Sequence, residues 1–196
     1  MSKAKTLNDL QELINTTEET GTIEARWEAV AAVDPQLVQQ LTHPDFVSNA
    51  ANLSLVATGT PVSPGAASGL LCLSADSVLV ADERGDKTVL VCSETTPADE
   101  IGMRLAEGII TARGGISSHA AVVARGWGIP AVVGVSSLEI KNDHVMFGGV
   151  KINEGESVSL DGTSGEVFSG FKEVTASEKI PELEKLLDWA DEIRGE

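Results

Sequence analysis

Between residues 88 and 134 the chain reads TVLVC, a helix-like segment, GIITA, a second helix-like segment, and PAVVG. Such alternation predicts parallel strands joined by crossover helices, because a chain leaving one strand must travel back along the sheet before the next can begin. It confines the region to an α/β fold. In the first helix, Thr96-Pro97-Ala98-Asp99 supplies a cap, a first-turn proline and an acidic residue at the third helical position. Ala98, Ile101, Gly102 and Leu105 are expected to face the sheet, with Gly108 ending the helix. The second helix begins near Ser117, carries Ala120, Val123, Ala124 and Trp127 at helical spacing, and stops in Gly126-Trp127-Gly128.

Further β-rich runs are LLCLS, SVLVA, HVMF, SVSL and EVFS. From His144 to Gly170 helical period is absent, and turns at Gly148-Gly149, Glu154-Gly155 and Asp161-Gly162 predict antiparallel hairpins. The expected core is a mixed sheet with crossover helices plus an antiparallel layer. Residues 1–52 read as a small helical subdomain. Leu7, Leu10, Leu13 and Ile14 share a face; Thr22 caps a helix with Ile23, Trp27 and Val30; Asp34-Pro35 opens a third, which His43-Pro44 ends. This subdomain is too thin to fold well alone and should lean on the rest of the chain. Residues 53–170 form the α/β domain. Residues 171–196 are a polar linker and an amphipathic helix bearing Leu183, Leu186, Leu187, Ala190 and Ile193, suited either to a solvated terminus or to a connection with another domain.

The formal net charge is −16, which disfavours nucleic acid and anionic membrane, since both call for a Lys/Arg footprint. Cys72 and Cys92 each sit in an apolar run and read as reduced core thiols, and neither belongs to a pattern with metal-ligand spacing. With no signal-like segment at the N-terminus and no apolar run of membrane length, the cytosol is the expected location.

The segment from Thr111 to Arg125, TARGGISSHAAVVAR, joins a strand end to a glycine loop and a helix with a histidine in its first turn. Gly114 and Gly115 permit positive φ and close approach of a ligand. Ser117 or Ser118 can cap, and the free N–H groups with the positive helix end make an anion site. His119 there would attack a phosphorus atom through a ring nitrogen, leaving the transferred charge beside the helix end. Arg113 and Arg125 flank the loop as its cationic support.

The string Gly114 to Arg125 closely resembles, over twelve consecutive positions, the phosphorylation-site motif of the phosphoenolpyruvate-utilising enzymes. Pyruvate phosphate dikinase, phosphoenolpyruvate synthase and enzyme I of the sugar phosphotransferase system belong to that family. The resemblance is greatest to the dikinase: Ile116 stands where the synthase and enzyme I usually carry Arg, and VDPQLVQQLTHPDF, TGTPVSPGAASG, SETTPADEIGM and INEGESVSLDGTSGEVFSG are all dikinase-like. GIPAVVG departs from it and looks more like the other two enzymes.

The resemblance implies a phosphohistidine swivelling β/β/α domain with His119 as the carrier. It implies an ATP-grasp partner domain that holds ATP and Mg²⁺ and loads the histidine. A barrel domain for pyruvate and phosphoenolpyruvate unloads it. This chain would bind no cofactor or metal itself. It also implies possible regulation at Ser117, where some dikinases carry a phosphorylated Thr. Alternatives are a carrier for a different acceptor, and a non-catalytic interaction module. His43 and His144 read as structural, in a helix stop and at a strand start.

Overall fold

The computed structural model describes residues 3–47, 54–175 and 180–195, divided between two compact units. The expected boundary between residues 52 and 53 lies outside the described residues.

The larger unit, His43–Thr175, has three layers. Its strands are β1 Leu55–Thr58, β2 Thr60–Ser63, β3 Ala66–Cys72, β4 Thr88–Cys92, β5 Gly108–Thr111, β6 Ala131–Val133, β7 Leu138–Ile140, β8 His144–Phe147, β9 Val150–Asn153, β10 Ser157–Asp161 and β11 Glu166–Ser169. Eight of them form a mixed sheet in the order β1-β11-β10-β3-β4-β5-β6-β2, and β7-β8-β9 form a separate antiparallel sheet. β3, β4, β5 and β6 are parallel, as the alternation predicts.

Strand pleat decides which layer each side chain joins. Leu71, Val89, Val91, Ile110 and Val132 pack with Leu138, Val145, Phe147 and Ile152 of the small sheet. On the opposite face, Cys72, Leu90, Ile109, Ala131 and Val133 pack with the helices α4 Ala75–Asp82, α5 Glu100–Leu105 and α6 His119–Trp127.

Three expectations are corrected in this unit. SVLVA is not a strand but most of α4: Ser74 caps it through a reciprocal Ser74/Ser77 box, and Val78 and Ala81 are buried one turn apart. A four-residue apolar run fits either period, and the cap decided between them. The buried residues after Pro97 are Gly102, which packs against Ala75 of α4, with Met103 and Ala106, whereas Ile101 is 56% exposed and Leu105 38%. Pro97–Asp99 form a 3₁₀ turn, whose tighter winding rotates the face of α5 away from the simple helical count. Finally, Gly148-Gly149 and the Asp161-Gly162 region do close hairpins, but Glu154-Gly155 joins β9 to β10 in different sheets. That turn instead docks on β3, where Gly155 N–H donates to Leu71 O and Glu154 accepts from Leu73 N–H.

The smaller unit comprises α1 Leu7–Thr20, α2 Ile23–Ala32, α3 Pro35–Thr42 and α7 Pro181–Arg194. The missing core for the three N-terminal helices comes from the far end of the chain. Leu183, Leu186 and Trp189 of α7 pack with Leu10, Ile14, Ala29, Val33 and Leu37. Trp189 rather than Leu187 is on the buried face, and on α2 Ile23 and Trp27 point outward, 53% and 59% exposed. Arg26 explains part of this orientation: it lies 5.8 Å over the Trp189 ring and pairs with Glu192. In the larger unit, residues 43–47 and 172–175 run side by side. Val47 N–H donates to Glu173 O and Thr175 N–H to Asp45 O, so its two ends are tied together.

Candidate phosphotransfer site

The loop that follows β5 is built on backbone contacts. Ala112 N–H donates to Cys92 O and Arg113 N–H to Ser93 O, extending the parallel pairing past both strand ends. Thr111 Oγ1 donates to Arg113 O at 2.6 Å, closing the first turn of the loop. Gly114 then takes φ +116, a conformation that disfavours any side chain, with Ser118 Cβ and Oγ 3.0 Å from where a Cβ would sit. Gly115 has no such constraint and borders open space.

Ser118 is the cap of α6: its hydroxyl accepts from Ala121 N–H, and its own N–H donates to Gly115 O. Ser117 is exposed and takes no part in capping. His119 is therefore the first residue of the helix, where N–H groups have no intrahelical acceptor and the dipole's positive end lies. Ala120, Ala121 and Ala124 fasten this helix to the sheet, and Gly128 at φ 69 ends it, while Trp127 remains 38% exposed and lies under Arg104.

Of the two flanking arginines, Arg125 turns back to the loop. One guanidinium nitrogen donates to Ile116 O at 2.7 Å and another reaches Val62 O at 3.4 Å. The exposed Arg113 is fixed at its backbone only. The loop thus gathers Arg113, Gly114, Gly115, Ser117, Ser118, His119 and Arg125, while His43 and His144 lie elsewhere. His144 pairs with Asp143 at 2.7 Å, which holds the Asp143 carboxyl below its ordinary range.

The environment of His119 contains a group that sequence reasoning passed over. Its Nε2 is buried without a hydrogen-bond partner among the described residues, and Glu100 Oε1 lies 3.9 Å away. The two side chains are 30% and 47% exposed. Gly134 was also missed: at φ 66, a Cβ there would stand 2.7 Å from Gly114 O. Neither has a local motif, since both reach the site only because neighbouring strands end together.

Neither cysteine is activated as a competing nucleophile. Burial, followed by the carboxylates of Asp99 and Glu94, pushes the Cys92 thiol up to about 12. The buried Cys72 is pushed up by desolvation as well. Among the described residues no group of His, Cys, Asp and Glu could hold a metal ion, and no helix is long and apolar enough to cross a membrane.

Three β/β/α layers thus carry a histidine at the head of a helix behind a glycine loop. The sequence model described as "PEP-utilising enzyme, mobile domain" matches residues 84–165, and this domain belongs to that family. It is 43% identical over 169 residues to pyruvate, phosphate dikinase 1, chloroplastic, of Arabidopsis thaliana, covering 85% of this chain and 18% of that protein. Pyruvate, phosphate dikinase of Rhizobium meliloti is 41% identical and that of Clostridium symbiosum 39%, each over 85% of this chain. The chain spans about a fifth of the length of these relatives. Among solved structures, an NMR solution structure of Enzyme I (nEIt) covers 95% of this chain and 57% of that chain, at a TM-score of 0.33 and 15% identity, too distant to bear on the reading.

Proposed function

We propose that this chain is the phosphocarrier of a pyruvate phosphate dikinase-like system and that His119 carries the phosphoryl group. The observation that carries the reading is His119 at the first position of α6, behind a loop that Gly114 turns at positive φ and Ser118 caps. A ring nitrogen of His119 attacks the β-phosphorus of ATP on a separate ATP-grasp domain, AMP leaves, and a pyrophosphorylated histidine results. Inorganic phosphate takes the terminal phosphoryl as pyrophosphate. The remaining phosphohistidine passes its phosphoryl to pyruvate on a barrel domain, giving phosphoenolpyruvate. This divides one difficult transfer into steps at separate sites.

Nucleotide and Mg²⁺ belong to the partner domain in this reading, which agrees with a body of net charge −16 that repels free phosphate compounds at long range. The domain needs local donors only at its tip, and the partner supplies the remaining cations at the moment of transfer. Ser117, exposed and free of the capping role, is a candidate for regulatory phosphorylation, because a phosphate two residues before His119 would repel the incoming group.

The test is incubation with an ATP-grasp partner and ATP labelled at the β position. Wild-type chain should acquire acid-labile, base-stable label, and His119→Ala should acquire none. Equal labelling of both would remove His119 from the reaction.

A further inference from the structure

We propose that Glu100 keeps the phosphoryl group on His119 transferable by opposing its charge. The inference rests on the carrier role of His119. Nε2 is the ring nitrogen farther from the helix backbone, and it is buried, unpartnered among the described residues, and 3.9 Å from the Glu100 carboxylate. A phosphoryl group on that nitrogen would bring a charge of about −2 into the space the carboxylate borders.

Glu100 cannot withdraw by moving its backbone cheaply. It follows the Thr96/Asp99 capping box, in which Asp99 Oδ2 accepts from both Thr96 N–H and Thr96 Oγ1 at 2.8 Å. Its side chain, 47% exposed, is the part free to turn toward water. Among the described residues no lysine or arginine forms an ion pair with it: Arg104 lies over Trp127, Arg125 is tied to Ile116 O and Val62 O, and Arg113 is held by its backbone. The carboxylate therefore stands beside the buried Nε2 in the resting carrier. In the loaded carrier it stays close enough to raise the energy of the N–P bond. When that bond breaks, the phosphoryl leaves to its acceptor and the electron pair returns to Nε2, relieving the repulsion.

The probe is potassium phosphoramidate, which phosphorylates imidazole nitrogens without a partner domain. It is applied to the full chain in a His43→Gln, His144→Gln background. Phosphorus NMR identifies the modified nitrogen, and loss of the signal after donor removal gives the lifetime. Against the parent, Glu100→Gln should extend the lifetime about five- to tenfold at low ionic strength, the size of one unit-charge pair about 4 Å apart in the dielectric of bulk water. Glu100→Asp should lie between the two. The difference should contract in 1 M salt, where the Debye length falls to about 3 Å. Equal lifetimes for the parent, Glu100→Gln and Glu100→Ala would overturn the proposal, as would modification at Nδ1 alone. No signal in the parent would instead strike the carrier reading.

Discussion

At the residue scale the site depends on two glycines in the loops that follow two different strands. Gly114 turns the loop at positive φ, and Gly134 lets its carbonyl approach, so the second glycine is as much a part of the loop as the first. Gly134→Ala should force the loop off its position and strain a left-handed backbone, costing about 1–3 kcal/mol. Its signature is a lowered melting temperature together with slower labelling of His119; an unchanged rate would mean the loop has room to spare. His119, Gly114 and Ser118 were legible because they lie in one local string. Glu100 and Gly134 were not, because the first opens α5 beyond β4 and the second lies in the turn after β6. The choice between Ser117 and Ser118 was equally out of reach, since either hydroxyl has the chemistry of a cap and only backbone geometry selects one.

At the element scale α6 is fastened at both ends, by the Ser118 cap and by Arg125 reaching back over the loop. The two arginines that the sequence treats alike therefore separate. Arg125→Met should loosen the loop and lower stability by about 1–2 kcal/mol, the cost of a charge-assisted hydrogen bond and its geometry. Arg113→Met should leave stability unchanged and slow only the transfer that involves a partner. Thermal unfolding alongside phosphotransfer rates separates the two, and equal loss of stability in both variants would refute the division. Helices with strong caps were readable, down to Thr96-Pro97 and Thr22. SVLVA was misread because four apolar residues carry no period of their own. The face of α5 was misread because a 3₁₀ turn ahead of it changes the phase.

At the scale of the whole molecule, two cores serve two purposes. The larger unit closes its own three layers, whereas the smaller one is completed by residues more than 140 positions away from α3, namely Leu183, Leu186 and Trp189. Each of those side chains contributes about 1.5–3 kcal/mol by leaving water. Truncation after Thr175 should therefore abolish the helical signal of α1–α3 in circular dichroism while the larger unit keeps its cooperative unfolding. Retained helicity would show that the three helices suffice. By itself the sequence determined the α/β class, the parallel strands β4 to β6, the acidic character and the location of His119, because periodicity, caps and a contiguous motif are local properties. Tertiary structure alone decided that α7 completes the N-terminal helices, that a turn expected as a hairpin crosses between sheets, and that a carboxylate stands beside His119 Nε2. These join residues distant along the chain, and such pairings are set by which surfaces exclude water together and which strand ends meet.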